Sequence, residues 1–272
     1  MKLIFVGAGS MAEAMIKGMK GSPSLKETDL WITNRSDESR LDLLCENYGI
    51  KASYDLQTLL AGADVIVLAV KPKDAAEAIE AIKPFYHKEQ LLISVLAGLS
   101  IEYISRQLGE SSIARAMPNT SATIQQSATG LSFNDHVTDK QKITALSLFS
   151  AIGSVTLVEE ARLDLVTGLS GSGPAYIYYV VEAMEQAAVE LGLSQAEAKP
   201  FIIQTLKGAA QMLESTNLPA EDLRKAITSE GGTTEAGIAQ LDLHQVKAAF
   251  KDCIKEATLH SGRLRERFEQ TR

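Results

Sequence analysis

The sequence is poor in the residues that usually advertise a metal site, a disulfide framework or a membrane anchor. It has two cysteines in 272 residues, Cys45 and Cys253, too far apart for metal-ligand spacing. Both read as reduced thiols rather than as a disulfide scaffold. Four scattered histidines, His87, His136, His244 and His260, form no constellation with them, so no metal is expected. A net charge of −7 with no basic face argues against a nucleic-acid partner. Long apolar runs are also missing. The most suggestive one, Leu165 to Val181, is interrupted by "GSGP" and lies near the lower length limit for a span. It is expected as a buried helix entered through a tight turn, and no membrane association is expected. No charged segment with a removable apolar stretch precedes the first strand, so the protein reads as cytoplasmic. Tandem repeats and low-complexity linkers are absent.

What is present is alternation. "KLIFV", "DLWIT", "DVIVLAV", "LLISVL" and "SSIARAM" are continuous apolar runs, as expected of strands covered on both faces. Amphipathic stretches such as "MAEAMIKGMK", "ESRLDLLCENYG" and "PKDAAEAIEAIKPFY" separate them, which implies βαβ units and a doubly wound sheet. "ATGLSF" and "GSVTLVE" would extend it. From Arg162 onward the pattern is helical. Ser194 with Glu197 spells a capping box, and Pro200 inside that helix predicts a local bend. The helix opening with Pro174 is apolar on nearly every side in its first half, so it needs cover that a second subunit would supply. The fold class is therefore an α/β Rossmann-type doubly wound sheet followed by an all-α dimerisation domain, with residues 1–160 binding a dinucleotide and 161–272 forming the helical part.

"VGAGSMAEAM" places Gly7, Gly9 and Ala12 in G-x-G-x-x-A spacing between a strand and a helix. The first glycine permits the turn, the second lets a pyrophosphate approach, and Ala12 allows close helix packing. Ala8, Ser10 and Met11 complete the loop. At the end of the second strand an NAD site usually carries an acid for the ribose hydroxyl; here stand Asn34, Arg35 and Ser36. Arg35 can pair with a phosphate and stack on adenine, so NADPH is favoured, with NADH also admissible. Asp37 nearby supports the plainer reading of a solvated loop charge. "LAVKP" puts Ala69, Val70, Lys71 and Pro72 at another strand end facing the cofactor, and "RAMPNT" adds Met117, Pro118 and Asn119 to line the nicotinamide.

"TSEGGTTEAG" opens a late helix. Exposed backbone N–H groups at a helix start can bind a carboxylate without a cation. Gly231 and Gly232 would let a ligand approach closely, while Ser229, Thr233 and Thr234 add hydroxyls. An ordinary threonine N-cap after a flexible turn is the plainer reading.

Taken in order and spacing, "GAGSMAEAM", "VKP", "MPNT", "GSGPAYIY" and "TSEGGTTEAG" resemble the pyrroline-5-carboxylate reductases across essentially the full length. The resemblance implies NAD(P)H-dependent reduction of 1-pyrroline-5-carboxylate to proline, and a helical domain that interlocks two subunits, often assembled into larger rings. It assigns the pyrophosphate to Gly7–Ala12, the 2′-phosphate to Asn34 and Arg35, and the nicotinamide ribose to Ala69–Pro72. Ser229, Gly232, Thr233 and Thr234 would hold the substrate, with the Thr234 hydroxyl near the imine nitrogen. The family turn usually has proline where this chain has Glu230, a carboxylate that would compete with an anionic substrate. Two alternatives remain at this stage. A β-hydroxyacid dehydrogenase-like reductase would explain Gly168, Gly171 and Gly173, but Ile177 replaces the proton-donating lysine. A non-catalytic NADPH-binding regulatory paralogue would suit Glu230.

Overall fold

The computed structural model describes residues 1–270. Its eight strands are β1 (Lys2–Val6), β2 (Asp29–Thr33), β3 (Lys51–Ala52), β4 (Val65–Leu68), β5 (Leu91–Ser94), β6 (Ser112–Met117), β7 (Ser127–Phe133) and β8 (Gly153–Leu157). They form one sheet in the order β3-β2-β1-β4-β5-β6-β7-β8. Seven match the apolar runs read from the sequence; the two-residue β3 is too short to carry a periodic signal.

The continuous apolar runs are explained by two cores. Leu3 and Phe5 face one side, with Met15 and Ile16 of helix α1 (Ser10–Lys20) and Leu41 and Leu44 of α2 (Glu38–Tyr48). Ile4 and Val6 face the other, with α3 (Leu56–Leu60), α4 (Ala75–Ile82) and α5 (Ile101–Leu108). Alternate residues of β1 thus enter different cores, so the run stays apolar along its length.

The doubly wound sheet expected from the sequence is present and mainly parallel, with one exception. β6 and β7 pair antiparallel, with Ala116 opposite Leu131. Only a short turn around Thr120–Ile124 joins them, too short for the dozen or more residues of a parallel crossover. β7 and β8 are parallel again, connected through α6 (Asp139–Ser150), which starts at a Thr138–Gln141 capping box.

Beyond β8 the helices are α7 (Leu163–Val166), α8 (Gly173–Glu190), α9 (Gln195–Ser215), α10 (Ala220–Ala226), α11 (Thr233–Leu243) and α12 (Val246–Gln270). α9 begins at the expected box: the Ser194 side chain accepts from the Glu197 amide, and the Glu197 carboxylate accepts from the Ser194 amide. The helix continues through Pro200.

"GSGP" does not make the tight turn expected of it. Thr167–Gly171 is π-helical, with the Ser172 amide donating to the Thr167 carbonyl, and leads from α7 towards α8. Gly168 is needed there because a Cβ would come within 2.5 Å of Thr258 Oγ1 and 2.8 Å of its amide. Nor is α8 a buried helix in the single chain. None of its residues is buried, and Ile177, Tyr178 and Tyr179 are exposed. Tyr176, Val180 and Val181 of the same helix are only partly buried in the single chain.

By packing, the chain divides into two compact units. One holds Met1–Pro174 together with the stretch that begins at Ile254; the other is Ala175–Cys253. The later part of α12 belongs to the first unit because Asp164 accepts from Ser261 Oγ at 2.7 Å and from Arg265 Nε at 3.1 Å. The second unit has almost no interior: only Ala198 and Ile202 are buried. Among the described residues no helix is long and apolar enough to cross a membrane.

Candidate functional site

The strand order reverses direction between β1 and β4, and the carboxyl ends of these strands leave a crevice there. A cleft of about 900 Å³ lies at this point. Gly7–Met11, Asn34–Ser36 and Ala69–Pro72 all line it, so three expected segments, remote in sequence, meet at one surface.

Gly7 has φ +111°, and a Cβ on it would fall 2.5 Å from the Ala69 carbonyl and 2.6 Å from the Val70 amide. Only glycine lets the ends of β1 and β4 approach this closely. A Cβ on Gly9, by contrast, would meet nothing within 4 Å, so the loop has open space above it. α1 starts at Gly9 without a side-chain cap, and its first backbone bond is from Glu13 N to Gly9 O. The Ser10 and Met11 amides have no acceptor among the described residues and are available to an anion. Ala12 itself is fully buried under the helix and does not line the cleft.

The loop after β2 is pre-shaped. Asn34 donates from Nδ2 to the Asp37 carbonyl at 2.6 Å, and its Oδ1 accepts from the Asp37 amide at 2.9 Å and from the Tyr54 hydroxyl at 3.0 Å. Asp37 in turn caps α2 by accepting from the Arg40 amide at 3.0 Å. Its carboxylate is thereby occupied, and Asp37 is not the partner of Arg35. That partner is Glu77, on α4, at 3.0 Å from Arg35 Nη1; the side chains are 73% and 59% exposed. Such a pair is worth little in water and is open to exchange.

Arg40 is a residue that sequence reasoning missed. It lines the cleft, donates from Nε to the Ala8 carbonyl at 3.0 Å and pairs through Nη2 with Glu13 at 2.5 Å. Tyr48 donates to the other Glu13 oxygen at 2.9 Å. The Arg40 hydrogen bond, followed by that from Tyr48, holds the Glu13 carboxyl below its ordinary value against the opposing effect of burial. The contact spans 27 residues, so no local pattern marks it; the only clue is that Arg40 follows the Asp37 cap of α2.

Met117, Pro118 and Asn119 are buried and do not line this cleft. The Asn119 side chain caps the turn before β7 by accepting from Ser121 N and donates to the Ser170 carbonyl of the π-helical turn, both at 3.0 Å. Its amide is structural in this arrangement.

The "TSEGGTTEAG" stretch lies in the second compact unit. Gly231 has φ +69°, a conformation that disfavours any residue with a Cβ. Gly232 caps α11 with no side-chain hydrogen bond, and a Cβ on it would strike Ser229 Oγ at 2.6 Å. The Thr233, Thr234 and Glu235 amides have no acceptor among the described residues, nor have the two threonine hydroxyls. Ser229, Glu230, Gly231 and Thr233 are exposed, whereas Gly232 and Thr234 are half-buried. Glu235, rather than Glu230, engages the turn: its Oε2 accepts from the Gly231 amide at 2.7 Å.

Comparison with known proteins covers both parts. The family described as "Pyrroline-5-carboxylate reductase dimerisation" matches residues 160–264, and "NADP oxidoreductase coenzyme F420-dependent" matches residues 2–98. Pyrroline-5-carboxylate reductase 2 of Bacillus subtilis is 48% identical over 268 residues, covering 98% of this chain and 96% of its own. Among solved structures, a pyrroline-5-carboxylate reductase from Coxiella burnetii superposes with a TM-score of 0.86 at 35% identity, over 96% of this chain and 97% of its own. Plasmodium falciparum pyrroline carboxylate reductase with NADP bound gives a TM-score of 0.88 at 28% identity, over 97% and 98%.

Proposed function

The chain belongs to the pyrroline-5-carboxylate reductase family, and from that premise we infer that it is an oxidoreductase reducing 1-pyrroline-5-carboxylate to proline with NADPH. The observation that carries the reading is the start of α11. A glycine pair is followed by a run of unpaired amides and two unpaired hydroxyls, as the carboxylate of a small imino acid requires.

The residues divide the work as follows. The Ser10 and Met11 amides and the Gly7–Gly9 loop hold the pyrophosphate, with Ala12 packed in the helix behind them and Arg40 fixing the loop through the Ala8 carbonyl. Arg35 and Ser36 take the 2′-phosphate, on a loop that Asn34 keeps in shape. Ala69–Pro72 present backbone to the nicotinamide ribose. Ser229, Gly231, Gly232, Thr233 and Thr234 hold the substrate carboxylate and ring nitrogen.

Bound NADPH supplies the hydride, and NADH is an admissible second donor. The imine carbon is already electrophilic once the ring nitrogen carries a proton. The protein therefore has to orient the ring and keep that proton, a task given to the Thr234 hydroxyl. No nucleophile or metal-bound water is required.

Residues 1–160 serve as the dinucleotide-binding part and 161–272 as the helical part that dimerises and binds substrate. The exposed apolar face of α8 fits a homodimer, and dimers can assemble further into a ring. The protein works in the cytoplasm. A steady-state assay with racemic pyrroline-5-carboxylate and each reduced cofactor tests the assignment: NADPH oxidation that depends on the imino acid is expected. Turnover of a β-hydroxy acid with NADP⁺ and none of the imine would overturn it.

A further inference from the structure

The cofactor cleft contains a carboxylate placed where a phosphate has to bind. Arg35, from the loop after β2, and Glu77, from α4, both line the cleft and meet at 3.0 Å. Asp37, the nearer acid in sequence, is committed to the α2 cap, and Asn34 is committed to its own loop. Among the described residues Glu77 is the one carboxylate in ion-pair contact with Arg35.

We propose that Glu77 is a specificity-determining residue, which occupies Arg35 and has to be exchanged for the 2′-phosphate before NADPH can bind. The acid that an NAD-selective site carries at the end of β2 is supplied here from another element. With NADH no dianion arrives, and Glu77 either keeps Arg35 or accepts from the ribose 2′-hydroxyl. The pair thus narrows the preference for NADPH that Arg35 alone would impose. The inference rests on the cofactor reading above and concerns only its adenosine end.

The size of the effect follows from distance. A phosphate on Arg35 would come within about 6 Å of the Glu77 carboxylate, and at water-like screening this repulsion costs about three- to tenfold in affinity. It fades as salt rises, because both groups are exposed.

The test is calorimetric binding of 2′,5′-ADP and 5′-AMP to the wild type, Glu77→Gln, Arg35→Gln and the double variant, in low and high salt. Glu77 lies on an exposed helix face, so its replacement does not endanger folding. Glu77→Gln is expected to bind 2′,5′-ADP about three- to tenfold more tightly at low salt, with 5′-AMP no tighter. The gain should shrink when Arg35 is also replaced, since there is then no guanidinium to release. Unchanged or weaker 2′,5′-ADP binding by Glu77→Gln would overturn the proposal, as would a gain of equal size without Arg35. Absence of imine reduction by the wild type would refute the reaction and leave this comparison intact; failure of both nucleotides to bind would refute both.

Discussion

At the scale of single residues, conformational and chemical roles are separable. Thr234 has a free hydroxyl beside unpaired amides, so Thr234→Val is expected to lower kcat/KM for the imino acid about a hundredfold while 2′,5′-ADP affinity is retained. Equal losses of both would place Thr234 outside the reaction. Gly231 is a backbone requirement: Gly231→Ala puts a Cβ on a residue at φ +69° and should cost about 1–2 kcal/mol of strain, seen as weaker proline binding and earlier melting of the helical part. Arg35→Asp should reverse cofactor preference towards NADH, checked by the ratio of kcat/KM values; an unchanged ratio would remove Arg35 from the site. The sequence marks these residues as candidates because each sits in a compact motif at the end of a strand or the start of a helix. Glu77, Arg40 and Glu235 escape that reading, since their roles come from contacts between side chains and backbone that no motif records.

At the scale of elements, strand ends and helix starts position the cleft, and Arg40 links two of them. Its guanidinium connects α2 to the loop before α1 through the Ala8 carbonyl and pairs with Glu13 of that helix. Arg40→Gln should weaken NADPH binding about tenfold, with partial rescue in Arg40→Lys, as measured by fluorescence titration. The same clamp has a pH signature. Glu13 is held below its ordinary value near 4.5, so its contribution to stability is present above that pH and is lost as pH falls through the lower folded-state value. Urea denaturation of the wild type and Glu13→Gln should therefore converge in acid and separate near neutrality; a constant gap would refute the linkage. Most elements are legible in advance because the apolar runs are continuous and the cap at Ser194 is spelled out by its own residues. The direction of β7 is not. Apolar pattern says that a strand exists, whereas the length of the turn at Thr120–Ile124 decides which way it runs. The π-helical turn is equally hidden, because Gly168 there answers to the approach of α12 rather than to local propensity.

At the scale of the whole molecule, the two compact units are stabilised differently. The sheet unit has two apolar cores, while Ala175–Cys253 buries only Ala198 and Ile202 and exposes Tyr179, Phe201, Leu191 and Leu243. Exposed apolar surface of this extent belongs against a partner. Tyr179→Glu is expected to shift the protein to the monomer on size-exclusion chromatography and to lower its melting temperature; retention of the wild-type elution volume would place the interface elsewhere. For the wild type, melting temperature should rise with protein concentration. A thinly filled helical unit also makes abundance part of the phenotype. A freshly synthesised copy that meets no sibling soon enough presents greasy helices to chaperones and proteases, so halving expression can remove more than half of the working enzyme.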